Sequence, residues 1–491
     1  MITRFRYHLE VLAFITGAVL MIFELAGSRV LSPYFGSSLY VWSSIIGVIL
    51  AFLSLGYYCG GKLADRTLKF EIIWLILFLA SLSVFLVLVG QKEVVSGLAI
   101  IKNNVLAALF SSILLFSLPS FFLAVLNPYA TRLKIKTVTD SGEVIGRMSA
   151  ISTIGSICGT FLAGFYLISA IGTNNILILI SLILAVLMVL YLPPKSVISF
   201  FAMVLVLVFF AATYFLTQSN KIDIDTMYDR YSIFDTTIEG RTARILSRTT
   251  NTGESAIFLD NKELVFKYQK TYDIYKIIYP GANNFLMIGG GTFSYPNHLL
   301  DNNDVDIDVV EIDPKMVSIA KNYFYFMDRE RLDIIIDDGR NFLNKNEKKY
   351  QVIFVDAFKS SGTIPYYLTT VEVASRVYRQ LDDKGIVMMN IISPICGGDN
   401  LFLASEYLTY RAVFPSVKIL QINNRYSCNS IQNVMLIAGK QDLIFSNTEI
   451  ENQGFKEAYV ISGNEINSSD AIILTDDFAP VDQFVKNIAN H

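Results

Sequence analysis

Apolar residues dominate the first two-fifths of the chain in long unbroken runs, near 11–31, 39–61, 71–90, 105–126, 149–171, 174–192 and 196–216. Each is about as long as the roughly 20 residues a helix needs to cross the hydrocarbon of a bilayer, and the pattern predicts seven membrane-spanning helices. The first run is too long for a cleaved signal peptide and leads straight into the second. Beyond residue 217 the period shortens. Residues 231–237, 243–248 and 256–259 are β-rich runs between Gly and Asn turns, which predicts a small antiparallel sheet. After a helix over 267–279, strands at 284–289, 306–311, 332–337, 351–356, 385–392, 417–422 and 433–438 alternate with helices such as 314–323, 369–381 and 401–413. Such alternation predicts a mainly parallel, doubly wound sheet with ligands at the carboxyl ends of its strands. The expected domains are a transmembrane part over 1–217, a small β-rich part over 218–280 and a catalytic part over 281–491.

Charge separates the same parts. Residues 1–217 carry 13 Lys and Arg against 7 Asp and Glu, and residues 218–491 carry 27 against 36. An acidic globule argues against a nucleic-acid partner, which needs a basic face. Disorder is excluded by 26 Tyr and 35 Phe. Within the apolar half, Arg4, Arg6, Lys62, Arg66, Lys69, Arg132, Lys134, Lys136, Arg147 and Lys195 fall in alternate connections, while the others hold little beyond Lys92, Lys102 and Lys221. The positive-inside rule therefore predicts a multi-pass cell-membrane protein with a cytoplasmic N-terminus. An odd number of spans carries the second half outside, whereas nucleotide chemistry is cytoplasmic. Either one span is not a crossing, the fourth or the seventh, or the domain works outside. A free Cys396 and Cys428 favours the cytoplasm and a disulfide the exterior; Cys59 and Cys158 read as small apolar-segment residues.

Several polar or small residues punctuate the apolar half. Glu24, costly in lipid, is either functional or paired with Arg29. Gly155, Gly159 and Gly164 suit close helix packing. Gly60-Gly61-Lys62-Leu63-Ala64-Asp65-Arg66 resembles the Gly-x-x-x-Asp-Arg turn of major-facilitator transporters, with the glycines allowing close helix approach and Asp65 pairing with Arg66; the alternative is a generic charged turn.

The chemistry sits at strand ends. The first strand of the alternating pattern runs into Gly289-Gly290-Gly291, where the lack of β-carbons lets backbone N–H groups approach a ligand. Twenty residues beyond Gly291, the second ends in Glu311-Ile312-Asp313, at the offset where a carboxylate accepts from ribose hydroxyls. The third ends in Asp337-Asp338-Gly339 and the fourth in Asp356-Ala357-Phe358. Acids and glycines on one edge of four consecutive strands point to an adenosine-type ligand.

These segments, with Val352–Val355 before Asp356, resemble the spermidine synthase (polyamine aminopropyltransferase) family. The chain is similar to its membrane-fused branch, in which a half-major-facilitator-like region precedes the synthase domain. Ser32-Pro33-Tyr34-Phe35-Gly36, Ile364-Pro365-Tyr366-Tyr367-Leu368-Thr369-Thr370 and Leu474-Thr475-Asp476-Asp477-Phe478-Ala479-Pro480-Val481 look typical of that branch. The resemblance implies an α-helical multi-pass membrane domain fused to an α/β doubly wound, Rossmann-like domain of class I methyltransferase type, with the small antiparallel sheet before it. It implies decarboxylated S-adenosylmethionine as co-substrate, with Glu311 on the ribose, Asp338 on the adenine amino group, Gly289, Gly290 and Gly291 against the nucleoside, Asp313 and Gly339 among the other residues that bind it, and Asp356 as the catalytic acid. It further implies a small-molecule amine as acceptor, a lipid bilayer as environment, a possible homo-oligomer, and neither metal nor permanently bound cofactor, since a sulfonium is already a good leaving group.

The chain departs from the family pattern where the amine binds. Thr292 replaces an aspartate that holds the aminopropyl ammonium, no second acid follows Asp356 closely, Asp229 stands where a glutamine is usual, and no histidine lies near Tyr272. Asp229, Tyr272, Thr292 and Asp477 are the candidate substrate residues, although Asp476 or Asp477 is as readily a helix N-cap. Three functions stay open: a membrane-tethered aminopropyltransferase acting on an amine such as putrescine, a methyltransferase using ordinary S-adenosylmethionine, and a non-catalytic polyamine or nucleoside sensor-transporter.

Overall fold

The structure is a computed structural model that describes all residues except 1–6, 37, 99, 102, 192–221, 249–252, 360–362, 462–465, 467–468 and 486–491. The chain packs into two units, Met1–Tyr231 and Ser232–His491.

The first unit is a helical bundle: α1 (His8–Phe35), α2 (Leu39–Arg66), α3 (Ile72–Leu98), α4 (Asn104–Lys134), α5 (Ser141–Leu162), a π turn at Ala163–Leu167, short α6 (Ile168–Ile171) and α7 (Thr173–Leu190). With α5 to α6 taken as one rod, six of these helices are long and apolar enough to cross a membrane. The expected run at 196–216 lies outside the described residues. The fourth span is a helix in spite of Pro119 and Pro128 inside it. Close approach explains Gly155 and Gly159, and also Gly60, where a β-carbon would lie 2.6 Å from the Val125 carbonyl oxygen of α4. A β-carbon on Gly155 would lie 2.1 Å from the Phe14 carbonyl oxygen of α1, and one on Gly159 2.4 Å from that of Ala18. Gly164 is different: its position is open, and it sits in the π turn rather than at a helix contact. Two expected pairs are replaced. Asp65 reaches Arg132 of α4 at 3.2 Å rather than Arg66, and Arg29 donates to the Met227 carbonyl rather than to Glu24. In both cases the partner lies on a different segment that tertiary packing brings alongside.

Strands β1 (Ile222–Asp225), β2 (Arg230–Ile238), β3 (Arg241–Ser247) and β4 (Ser255–Phe258) form a sheet in sequence order, antiparallel from β2 to β4. β1 goes beyond the expectation and falls in the first unit.

The second unit is built on eight strands: β5 (Asn284–Ile288), β6 (Asp306–Glu311), β7 (Leu332–Ile336), β8 (Tyr350–Val355), β9 (Leu381–Ser393), β10 (Ser416–Gln421), β11 (Gln432–Gly439) and β12 (Tyr459–Ile461). Their order is β12-β10-β11-β9-β8-β5-β6-β7, parallel from β9 to β7 and antiparallel beyond. Central strands of a parallel sheet are covered on both faces and read as unbroken apolar runs; Val352, Ile353, Phe354 and Val355 of β8 are all buried. Successive side chains divide between two cores, Leu286 and Ile288 in one, Phe285 and Met287 in the other. Strand order reverses between β8 and β5, the switch point at which an open α/β sheet leaves a crevice outside the carboxyl ends.

Candidate nucleoside site

At that crevice the glycine turn and Asp356 meet. β5 and β8 are parallel neighbours with Ile288 opposite Val355, so the residues that follow emerge side by side, and the Asp356 N–H donates to the Ile288 carbonyl at 2.9 Å. Gly289 has φ +95°, and a β-carbon there would lie 2.4 Å from the Asp356 carbonyl oxygen. Conformation and space together demand glycine at this position.

Glu311 ends β6 with its carboxylate accepting from the N–H groups of Gly290 (2.9 Å), Gly291 (3.3 Å) and Asp313 (2.9 Å). Burial pushes its pKa up, against the pull of the Asp313 and Gly290 N–H groups. Asp313 is the N-cap of helix Pro314–Tyr323, one oxygen accepting from Lys315 N–H at 3.0 Å, while its other oxygen is buried with no partner among the described residues. Asp338 likewise caps helix Gly339–Lys345, accepting from Arg340 (2.9 Å) and Asn341 (3.1 Å) N–H. Gly339 is buried against Ile288 of β5.

Asp356 follows β8 and is only partly exposed. Its carboxylate accepts from Asn390 Nδ2 of β9 at 3.0 Å. Packing around the carboxyl pushes its pKa up to about 6, although the Asn390 and Tyr272 side chains and the Arg248 charge all favour the ionised form. Tyr272 is fully buried among Tyr295 and Phe354, ring centroids 5.0 and 4.9 Å away. Its hydroxyl lies against Asp356, and both this hydroxyl and Asn390 Oδ1 are buried without a hydrogen bond of good geometry among the described residues. Two unsatisfied polar atoms beside one carboxyl leave places for the hydrogens of an incoming group.

The remaining candidates are dispersed. Thr292 is wholly buried, its hydroxyl 2.6 Å from that of Ser294. Asp229 belongs to the first unit, in the turn before β2, where its carboxylate accepts from the Arg230 N–H. Asp477 is exposed, whereas Asp476 straps the tail to the sheet's helices, accepting from Arg340 (2.5 Å) and Thr370 (2.7 Å). Neither is the expected helix N-cap; Pro480 occupies that position before Val481–Phe484.

Two residues escape a reading of the sequence. Asn390 is one amide in the apolar run Val387-Met388-Met389-Asn390-Ile391-Ile392, and that isolation is its signal. Arg248, just past β3, donates to the Phe358 carbonyl and pairs with Glu254 at 2.6 Å; nothing near it in the sequence marks it.

The doubly wound sheet, with a glycine turn and four acids at its switch edge, defines the second unit as a Rossmann-like domain. Residues 260–424 match the family described as the spermine/spermidine synthase domain. It is similar to a probable polyamine aminopropyl transferase of Bifidobacterium longum, 29% identical over 261 residues that cover 48% of this chain and 57% of that protein. A polyamine aminopropyltransferase of Agathobacter rectalis is 28% identical over 170 residues, 34% of this chain and 59% of that one. The chain thus spans under three-fifths of the length of these curated relatives. Among solved structures, a probable spermidine synthase from Corynebacterium glutamicum aligns at TM-score 0.45 and 19% identity, covering 53% of this chain and 97% of that one.

Proposed function

We propose that the second unit transfers the aminopropyl group of decarboxylated S-adenosylmethionine to a small amine such as putrescine. The observation that carries this reading is the placing of Asp356, held by Asn390, directly beside the glycine turn at the switch point. In the reaction the amine nitrogen attacks the carbon next to the sulfonium, the carbon–sulfur bond breaks, methylthioadenosine leaves, and the proton shed by the nitrogen passes to Asp356. The carboxylate both aligns the nucleophile and takes its proton. Tyr272 Oη and Asn390 Oδ1 are the two neighbours able to accept the amine's remaining hydrogens. Glu311 accepts from the ribose hydroxyls and Asp338 from the adenine amino group. Tethering of this chemistry to a bilayer by the six apolar helices belongs to the same proposal.

A second reading is favoured by one residue. Thr292 offers no charge to an aminopropyl ammonium, which suits methyl transfer from ordinary S-adenosylmethionine. Incubating the purified full chain with putrescine and each nucleoside in turn, with products identified by mass, separates the two. Spermidine with methylthioadenosine supports aminopropyl transfer, a methylated amine supports the alternative, and binding without turnover overturns both.

A further inference from the structure

The two ends of the helical bundle are chemically distinct, and the chain labels them. His8, at the start of α1, meets Tyr191 just beyond α7, whose hydroxyl donates to the His8 carbonyl at 3.0 Å. Glu10 pairs with Lys134 at the end of α4 and with Arg147 of α5. The Tyr129 hydroxyl lies 2.7 and 2.8 Å from the carbonyl oxygens of Thr67 and Lys69, past the end of α2. This end therefore gathers Lys62, Arg66, Lys69, Arg132, Lys134 and Arg147. At the other end, the Asp225 carboxylate holds the start of α7, accepting from the Thr173 N–H at 2.9 Å and its hydroxyl at 2.8 Å. The Met227 carbonyl accepts from Arg29, in the last turns of α1, at 2.6 Å. The segment from which the chain runs on into the second unit is thus anchored opposite His8, at an end with few cations. Cationic connections stay in the cytoplasm.

An independent observation comes from the second unit. Cys396 and Cys428 are joined in a disulfide. Their loops are also clamped by backbone, the Cys428 carbonyl accepting from Ile395 (2.8 Å) and Cys396 (3.1 Å) N–H. Disulfides persist in oxidising compartments and are rare in the cytosol. The two free cysteines, Cys59 and Cys158, are both on bundle helices.

We infer that the synthase domain stands on the non-cytoplasmic side of the membrane, with Cys396–Cys428 as a structural disulfide fixing the loop that follows the strand carrying Asn390. The assignment holds whichever group the domain transfers. Its consequence is that the adenosyl donor and the amine are met outside the cytoplasm.

The test uses the full chain with Cys59→Ser and Cys158→Ser, expressed in bacterial cells and probed in intact spheroplasts with a membrane-impermeant polyethylene-glycol maleimide. No adduct is expected until an impermeant phosphine is added, and two per chain thereafter. Adducts that need lysis, or that form without reductant, overturn the inference. A second measurement needs no cysteine substitution: alkaline phosphatase fused after His491 should be active and a green fluorescent protein at the same point dark, and the reverse result overturns the assignment. Nucleoside binding to the purified chain is scored separately, so failure of the proposed reaction leaves this result readable.

Discussion

In the proposed reaction Asp356 can act as a base only when ionised, and its pKa, pushed up to about 6, sets where that happens. Below this value the carboxyl carries the proton it is meant to receive. Turnover is therefore expected to rise about tenfold per pH unit on the acid side and to level off above it; a flat profile across about pH 5 to 7 would remove Asp356 from proton transfer. Replacing it with asparagine keeps the shape and the Asn390 contact but ends the acid–base role. D356N should lower kcat by about 10²–10⁴-fold with nucleoside affinity nearly unchanged, as single-turnover assays and calorimetry would show. Glu311 is of another kind. Its carboxylate ties the Gly290 and Gly291 N–H groups to β6 and is the proposed acceptor for the ribose hydroxyls, so E311Q should weaken nucleoside binding by about 10-fold or more. Unchanged affinity by calorimetry would move the ribose elsewhere. These acids are legible in the sequence because each directly follows or ends a strand of strongly apolar pattern. Asn390 is not, because its role arises only when β9 lies parallel to β8 and sets the amide beside Asp356.

Among the elements, long periodic segments are the legible ones. Strand β6 and helix Pro314–Tyr323 start and stop where the residues predict, and Asp313 with Pro314 supplies a plain helix start. The helices Ser294–Asn302 and Gly339–Lys345 have no bounds legible in the sequence, since short segments with few apolar positions carry a weak period until the sheet packs against them. β9 begins at Leu381, where the preceding helix was expected to end, because Leu381 pairs with Tyr350 of β8; tertiary pairing overrides the local pattern. In the bundle, Gly155 and Gly159 read from the sequence as close-packing residues, and only the structure names α1 as their partner. Gly155 lets α5 lie directly on the α1 backbone, so G155A must force the helices apart. The expected loss is about 1–3 kcal/mol, as for overpacking of a core, read as a lower unfolding midpoint in detergent. Alanine at Gly164, where nothing lies within 4 Å, should cost far less; equal losses would contradict the α1–α5 contact.

At the scale of the whole molecule, the two units can be watched apart, because both tryptophans, Trp42 and Trp74, lie on bundle helices. Indole fluorescence follows the first unit, and circular dichroism follows both. This separation bears on Glu406, on helix Leu401–Arg411 of the second unit, which is 0% exposed with neither carboxyl oxygen partnered among the described residues. Tyr410, one turn further, is also buried, its hydroxyl without a partner among the described residues. Burial pushes the Glu406 pKa well above its ordinary value, so the folded chain keeps a proton that the unfolded chain has lost. Stability from this group is complete below the ordinary carboxyl range and is lost as pH rises toward the folded value. The denaturant midpoint seen by circular dichroism should therefore fall as pH rises above the ordinary carboxyl range, while the change in indole fluorescence stays put. E406Q cannot titrate and should flatten that dependence. E406M, which also removes the unpaired buried oxygens, should stabilise the second unit by about 1–3 kcal/mol at neutral pH. If wild type and E406Q lose stability equally on going from acid to neutral, the buried carboxyl is not the group that couples this unit to pH.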